Sequence, residues 1–247
     1  SEEVRIKLAT TTSTENSGLL KYLLPYFENT TNIKVDVIAV GTGKALKLGE
    51  NGDVDVVLVH ARNLEDKFVT DGFGVDRKDV MYNDFIILGP KNDPANIKKS
   101  KNVSDAFKAI FSKNTTFISR GDKSGTDVKE KEIWGKLGLK PSGKWYKEIG
   151  QGMEECINMA KNEMAYTLSD RGTYLSMKSK VDLVILFEKD ALLSNPYGVI
   201  AVNPEKWKTA KYKEAKIFID WLCSKEGQEL IANYKIDGEV LFFPSAK

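Results

Sequence analysis

Ala9-Thr10-Thr11-Thr12-Ser13-Thr14-Glu15-Asn16-Ser17-Gly18 joins one apolar run, residues 4–8, to a second, residues 19–27. Five hydroxyl residues in succession stand where a strand hands over to a helix. A helix start leaves backbone N–H groups without intrahelical partners and presents the positive end of the helix dipole. Hydroxyl donors added to such a start make a place to hold an anion without a charged side chain. Ser and Thr also cap helices, but one cap needs one or two of them, not five.

Working outward, residues 4–9 predict a strand, and Leu19, Leu20, Leu23, Leu24 and Phe27 follow at helical spacing. Pro25 is expected to kink or restart that helix, and Asn32 to close it. The β-branched run 33–40 predicts a second strand, Gly41-Thr42-Gly43-Lys44 a turn into a short helix through Leu48, and 53–59 a third strand ending at His60. Strand–helix–strand–helix–strand predicts a parallel sheet with helices on its faces. Ligands of such sheets sit beyond the carboxyl ends of the strands, so the loops at 10–13, 41–43 and 60–61 are expected to share one edge.

The pattern then repeats. After a helix and Gly-rich turn at 67–74 and a mixed run at 80–88 come a helix at 103–111 capped by Asn102 or Ser104, a strand at 115–119, a turn at 120–127 and a helix at 128–139. A helix at 152–164, a strand at 165–168, a helix at 170–177 and a strand at 181–187 follow. A strand at 197–202 flanked by Asn-Pro pairs and two amphipathic helices, 212–223 and 226–234, complete the reading; residues 242–244 have no period. The expected fold is α/β, two doubly wound α/β lobes joined by two crossing strands near 80–90 and 192–202. Residues 1–84 plus 200–247 would form lobe I and 85–199 an inserted lobe II, with the anion site in the cleft between them.

The totals exclude several function classes. Of 247 residues, 41% are hydrophobic and 29% charged, with a net charge of +2, so no nucleic-acid partner is implied. No apolar run approaches the roughly 20 residues of a membrane span. The start at Ser1, without Met or signal peptide, fits a mature, processed or recombinant chain. Two cysteines and one histidine cannot build a Cys/His zinc site. Asp53, Asp55, Asp84 and Asp170 are too dispersed for a carboxylate metal motif, so no metal and no cofactor are expected. Cys156 and Cys223 fall on separate helical patterns and are expected to be core residues with free thiols.

Lobe II repeats the device of lobe I. Ser119 leads into Arg120, a small-residue turn and a helix opening with Ser124-Gly125-Thr126, so hydroxyls, close backbone approach and a helix start again suit an oxyanion. Arg120 adds a fixed charge and a planar fork of donors, unless it serves as a turn staple paired with Asp122 or Asp127. Gly41-Thr42-Gly43-Lys44-Ala45 fails as a phosphate loop, since Ala45 stands where Ser or Thr is needed and Ile38 where Gly is needed. What remains is a turn whose backbone N–H groups can face a ligand. His60 reads as a hydrogen-bonding residue at a strand end, near the site. Thr167 either lends a donor or belongs to a cap of the next helix, and Trp145-Tyr146 reads as packing over a loop.

Taken together, Thr10–Gly18, Val40-Gly41-Thr42-Gly43, Val80–Phe85, Ser119–Thr126, Gly152-Met153 and Ala165–Leu175 resemble the tungstate-binding proteins of bacterial ABC importers. These are relatives of the molybdate- and sulfate-binding proteins, with the type II periplasmic binding protein fold. The resemblance covers nearly the whole chain. It implies two lobes closing on a dehydrated tetrahedral oxyanion, with contacts from Thr11, Thr12, Ser13, Thr42, Gly43, Arg120, Ser124, Gly125 and Thr126, and with His60 and Thr167 as further candidates. It also implies a monomer that works in the periplasm, or outside the cell on a membrane anchor, and delivers tungstate or molybdate to a membrane permease. A donor-only site would reject phosphate, which keeps a proton near neutral pH, although Asp122 or Asp127 could supply an acceptor. The alternatives are a binder of molybdate or another oxyanion, an enzyme acting on a phosphorylated or sulfated small molecule with His60 as base, and the sensing domain of a regulator.

Overall fold

The computed structural model describes residues 3–247. The chain opens with β1 (Val4–Thr11), α1 (Thr12–Asn16), α2 (Leu19–Thr31), β2 (Ile33–Val40), α3 (Thr42–Glu50), β3 (Val56–Val59), α4 (Arg62–Thr70) and the long β4 (Gly74–Gly89). Next come α5 (Val103–Lys113), β5 (Phe117–Ser119), α6 (Gly125–Lys136), β6 (Tyr146–Glu148), α7 (Met153–Glu163), β7 (Tyr166–Asp170), α8 (Arg171–Met177), β8 (Val184–Phe187) and β9 (Ser194–Val202). The chain ends with α9 (Tyr212–Cys223), α10 (Lys225–Asn233) and three two-residue strands, β10 (Lys235–Ile236), β11 (Glu239–Val240) and β12 (Phe243–Pro244).

Two compact units result. The first holds the chain up to Tyr82, Pro196–Lys235 and Val240–Lys247; the second holds Asn83–Asn195 and Ile236–Glu239. Besides β4 and β9, the β10–β11 hairpin therefore carries the chain out of the first unit and back, a passage additional to the two crossings expected.

In the first unit, β1 pairs in parallel with β2, Thr11 beside Val40, and with β3, Thr10 beside Leu58. The three carboxyl ends thus lie at one edge, as the alternation of strands and helices required. β9 adds to the sheet antiparallel to β3. Ala9, Leu46, Val57, Val59, Phe68, Ile200 and Val202 form one buried cluster, at about 1.5–3 kcal/mol for each large side chain removed from water.

Pro25 does not restart its helix; α2 runs unbroken from Leu19 to Thr31. Pro25 and Lys21 are both exposed, so the carbonyl left without its helical donor belongs to a residue at the solvent face of the helix. Residues 67–74 end a helix that begins at Arg62, and the unpatterned tail forms β12, antiparallel to β4 with Phe243 opposite Tyr82.

In the second unit, β5 runs parallel to both β6 and β7, and β4 is antiparallel to β7 and to β8. The alternation of β4 separates its side chains: Phe85 and Ile87 enter a core with Phe107, Phe117, Trp134 and Tyr146, whereas Ile86 and Leu88 enter another with Ile118, Cys156 and Ile157. A sheet covered on both faces must be apolar on both, as this stretch of β4 is. Among the described residues no helix is long and apolar enough to cross a membrane. Both cysteines are free thiols, Cys156 buried and Cys223 half-buried.

Candidate oxyanion site

The five-hydroxyl turn divides its labour. Thr10 is buried and donates its hydroxyl to Leu58 O at 2.7 Å, tying β1 to β3. Thr11 caps α1: its Oγ1 accepts from Thr14 N at 3.2 Å and lies 2.6 Å from Thr14 Oγ1. Thr14 is fully buried, while Thr12 and Ser13 are exposed at the edge. His60 follows β3, and its Nε2 stands 3.0 Å from Thr11 Oγ1 and 3.5 Å from Ser13 Oγ. Its ring lies against Tyr197, with centroids 4.6 Å apart. The structure brings His60, Thr11 and Ser13 together, although some 47 residues separate them in the chain.

At the neighbouring strand end, Gly41 stands at the N-cap of α3 in extended conformation without a side-chain cap. The first intrahelical bond is Ala45 N to Gly41 O at 2.9 Å, so the amides of Thr42, Gly43 and Lys44 precede the helical ladder. Gly41 and Gly43 are exposed, with nothing within 4 Å of where a Cβ would stand. This leaves room for a ligand to meet backbone amides.

In the second unit the loop after β5 is wound around a carboxylate. Asp127 is 6% exposed. Its Oδ1 accepts from Gly121 N at 3.0 Å and its Oδ2 from Lys123 N at 3.1 Å. Lys131 Nζ stands 3.4 Å from Oδ1, one helical turn on. Ser124 caps α6, accepting from Asp127 N at 3.2 Å, and the exposed Gly125 and buried Thr126 open the helix. Gly125 has open space at its Cβ position.

Arg120 pairs with Asp122: Nε and Nη2 donate to Oδ2 at 3.1 and 2.7 Å. Asp122 Oδ1 accepts from Ser124 N at 3.1 Å. Partial burial works against ionisation of Asp122, but the bonds from Ser124 and Arg120 outweigh it and hold the carboxyl below its ordinary range. Both carboxylates that could have offered an acceptor to a ligand are thus engaged within the loop.

The other candidate, Thr167, is occupied elsewhere. Thr167 is fully buried and donates to Ile118 O at 2.8 Å, and Asp170 is the residue that caps α8, accepting from Thr173 N at 2.8 Å. Arg171 makes a two-point pair with Asp84, at 2.7 and 2.8 Å, and reaches Glu188 at 2.7 Å. Trp145 and Tyr146 pack with Trp134 and Phe111 or Phe117, as expected of packing residues. Among the described residues no cluster of His, Cys, Asp and Glu could hold a metal.

A family model, that of a PBP superfamily domain, matches residues 1–226. The tungstate-binding protein TupA of Peptoclostridium acidaminophilum is 49% identical over 245 residues, which span 98% of this chain and 86% of that protein. The chain belongs to the TupA family of the PBP superfamily. The solved structure of the tungstate-binding protein TupA from Desulfovibrio alaskensis G20 shares 44% identity and a TM-score of 0.93, over 99% of this chain and 100% of that one. The tungstate ABC transporter structure from Geobacter sulfurreducens shares 60% identity and a TM-score of 0.79, over 95% and 100%. In this family member the hydroxyl- and glycine-rich corners lie at the carboxyl ends of parallel strands in both units, as the alternation of strands and helices predicts. The sequence offered Asp127 only as a partner for Arg120 or an acceptor for a ligand and gave Lys131 no signal; the winding of the loop gives them another role.

Proposed function

We propose that this chain binds tungstate for delivery to the permease of an ABC importer, working in the periplasm or outside the cell, without turnover of its ligand. Thr11, Thr12, Ser13, Thr42 and Gly43 in one unit, and Arg120, Ser124, Gly125 and Thr126 in the other, are the proposed donors to one anion. The observation that carries the reading is the Arg120–Thr126 loop, in which Asp122 and Asp127 accept from the loop's own groups and the amides of Gly125 and Thr126 precede the helical ladder, which starts at Val128 N to Ser124 O. A buried dianion is tolerated only where many donors converge on it, and an anion that retains a proton must also find an acceptor, in competition with the groups already bonded to Asp122 and Asp127. Calorimetric titration with tungstate, molybdate, sulfate and phosphate tests it. Tungstate should bind tightest and molybdate next; tighter sulfate or phosphate binding refutes the proposal. Turnover of a phosphate or sulfate ester that vanishes in His60→Ala would establish an enzyme instead.

A further inference from the structure

The helix that opens at Gly125 carries an acid three residues past its cap, an arrangement that ordinarily turns back to the amide of the cap residue itself. Here that amide, Ser124 N, is taken by Asp122. Asp127 reaches further back, to the amides of Lys123 and Gly121. Both of those residues have left-handed backbones, with φ of 62° and 59°. Glycine adopts this conformation freely and lysine does not, so the turn requires something to hold it.

The acid is itself held. Lys131 Nζ stands 3.4 Å from Asp127 Oδ1, 3.1 Å from Ser119 Oγ and 2.6 Å from Tyr146 Oη. These contacts tie the ammonium to the ends of both β5 and β6. Tyr146 in turn donates to the buried Glu130 at 2.5 Å, which also accepts from Trp134 Nε1 at 2.9 Å. The loop is therefore fastened to the sheet through a continuous set of charged and hydroxyl groups, with Asp127 at its outer end.

From this geometry we infer that Asp127, supported by Lys131, is the positioning residue of the anion loop. It draws the Gly121 and Lys123 amides inward, and so fixes where Arg120 and Ser124 present their donors. It touches no ligand and acts only through the loop. The inference rests on the reading of this loop as an anion site.

The test compares wild type, Arg120→Ala, Asp127→Asn and the double variant by tungstate calorimetry, with amide hydrogen exchange read at Gly121 and Lys123. An asparagine can accept one amide, but its own NH2 opposes the other. Asp127→Asn should expose those two amides to exchange and weaken tungstate about tenfold or more, the scale of a lost hydrogen bond to a charged group. Arg120→Ala should then cost less in the Asp127→Asn background than in wild type, since the two side chains act through one element. Affinity within about twofold of wild type, or full additivity of the two changes, overturns the inference. If Asp127→Asn fails to fold, Lys131→Met carries the same comparison. Failure of wild type to bind tungstate refutes the proposed function instead, and the exchange at Gly121 and Lys123 still decides whether Asp127 holds the loop.

Discussion

Gly198 illustrates how a single residue is fixed by its neighbours. A Cβ there would collide with Glu65 Oε1 and stand 2.8 Å from Arg77 Nη2. Glu65 is fully buried, accepts from Ala61 N at 2.7 Å and pairs with Arg77 at 2.9 Å. Breaking a buried pair leaves a charge uncompensated. Gly198→Ala should destabilise the protein by about 1–3 kcal/mol, read from the midpoint of denaturant unfolding. The cysteines make a second test. Burial pushes the Cys156 thiol up to about 12, and the thiolate is the reactive form. A disulfide-exchange reagent at pH 8 should leave Cys156 unmodified in the folded protein and find two thiols in denaturant without reductant. Fewer than two would mean a disulfide. That both cysteines are free was legible from their places on separate helical patterns. The pairing of Arg120 with Asp122 was legible only as one of two options, because a sequence does not say which way a guanidinium turns.

Among the elements, those with an apolar stripe were readable and those held by polar contacts were not. α9 spans Tyr212–Cys223, the bounds its periodicity predicts. Of the two caps expected for α5, Asn102 is the one used, accepting from Asp105 N at 2.8 Å. Asn102→Ala should lower stability by about 0.5–2 kcal/mol in a thermal or denaturant melt, with the native circular dichroism spectrum retained. α6 was placed at 128–139 but runs Gly125–Lys136, because Thr126, Asp127 and Glu130 share its buried face with Ile133 and Trp134. A hydropathy pattern cannot register a helix that buries acids. The first part of β4 was missed for a related reason. Asp76, Arg77, Lys78 and Asp79 carry no apolar alternation, yet Arg77 holds Glu65 and Asp79. The corners of the candidate site were legible because hydroxyls and glycines at strand ends have a local signature, whereas the contacts that support them are distant in the chain, as between Thr11 and His60, 49 residues apart.

At the scale of the molecule, the tail does more than its length suggests. Residues 236–239 belong to the second unit, where Ile236 packs beside the core containing Cys156 and Glu239 reaches Lys178 at 2.5 Å. Residues 243–244 extend the first unit by pairing with β4. No period marks two-residue strands, so this part of the fold was invisible in the sequence. The Lys178–Glu239 pair is exposed and should add little; the chain path matters more. A chain cut after Asn233 should lose thermal stability in both units, whereas Lys178→Ala should leave the melting temperature almost unchanged. Scanning calorimetry separates these outcomes, and an unaltered melt of the shortened chain would deny the tail its role. During synthesis, then, neither half can be finished while residues 236–244 are still inside the ribosome. Both units therefore gain their last contacts from one short stretch of chain, late in translation.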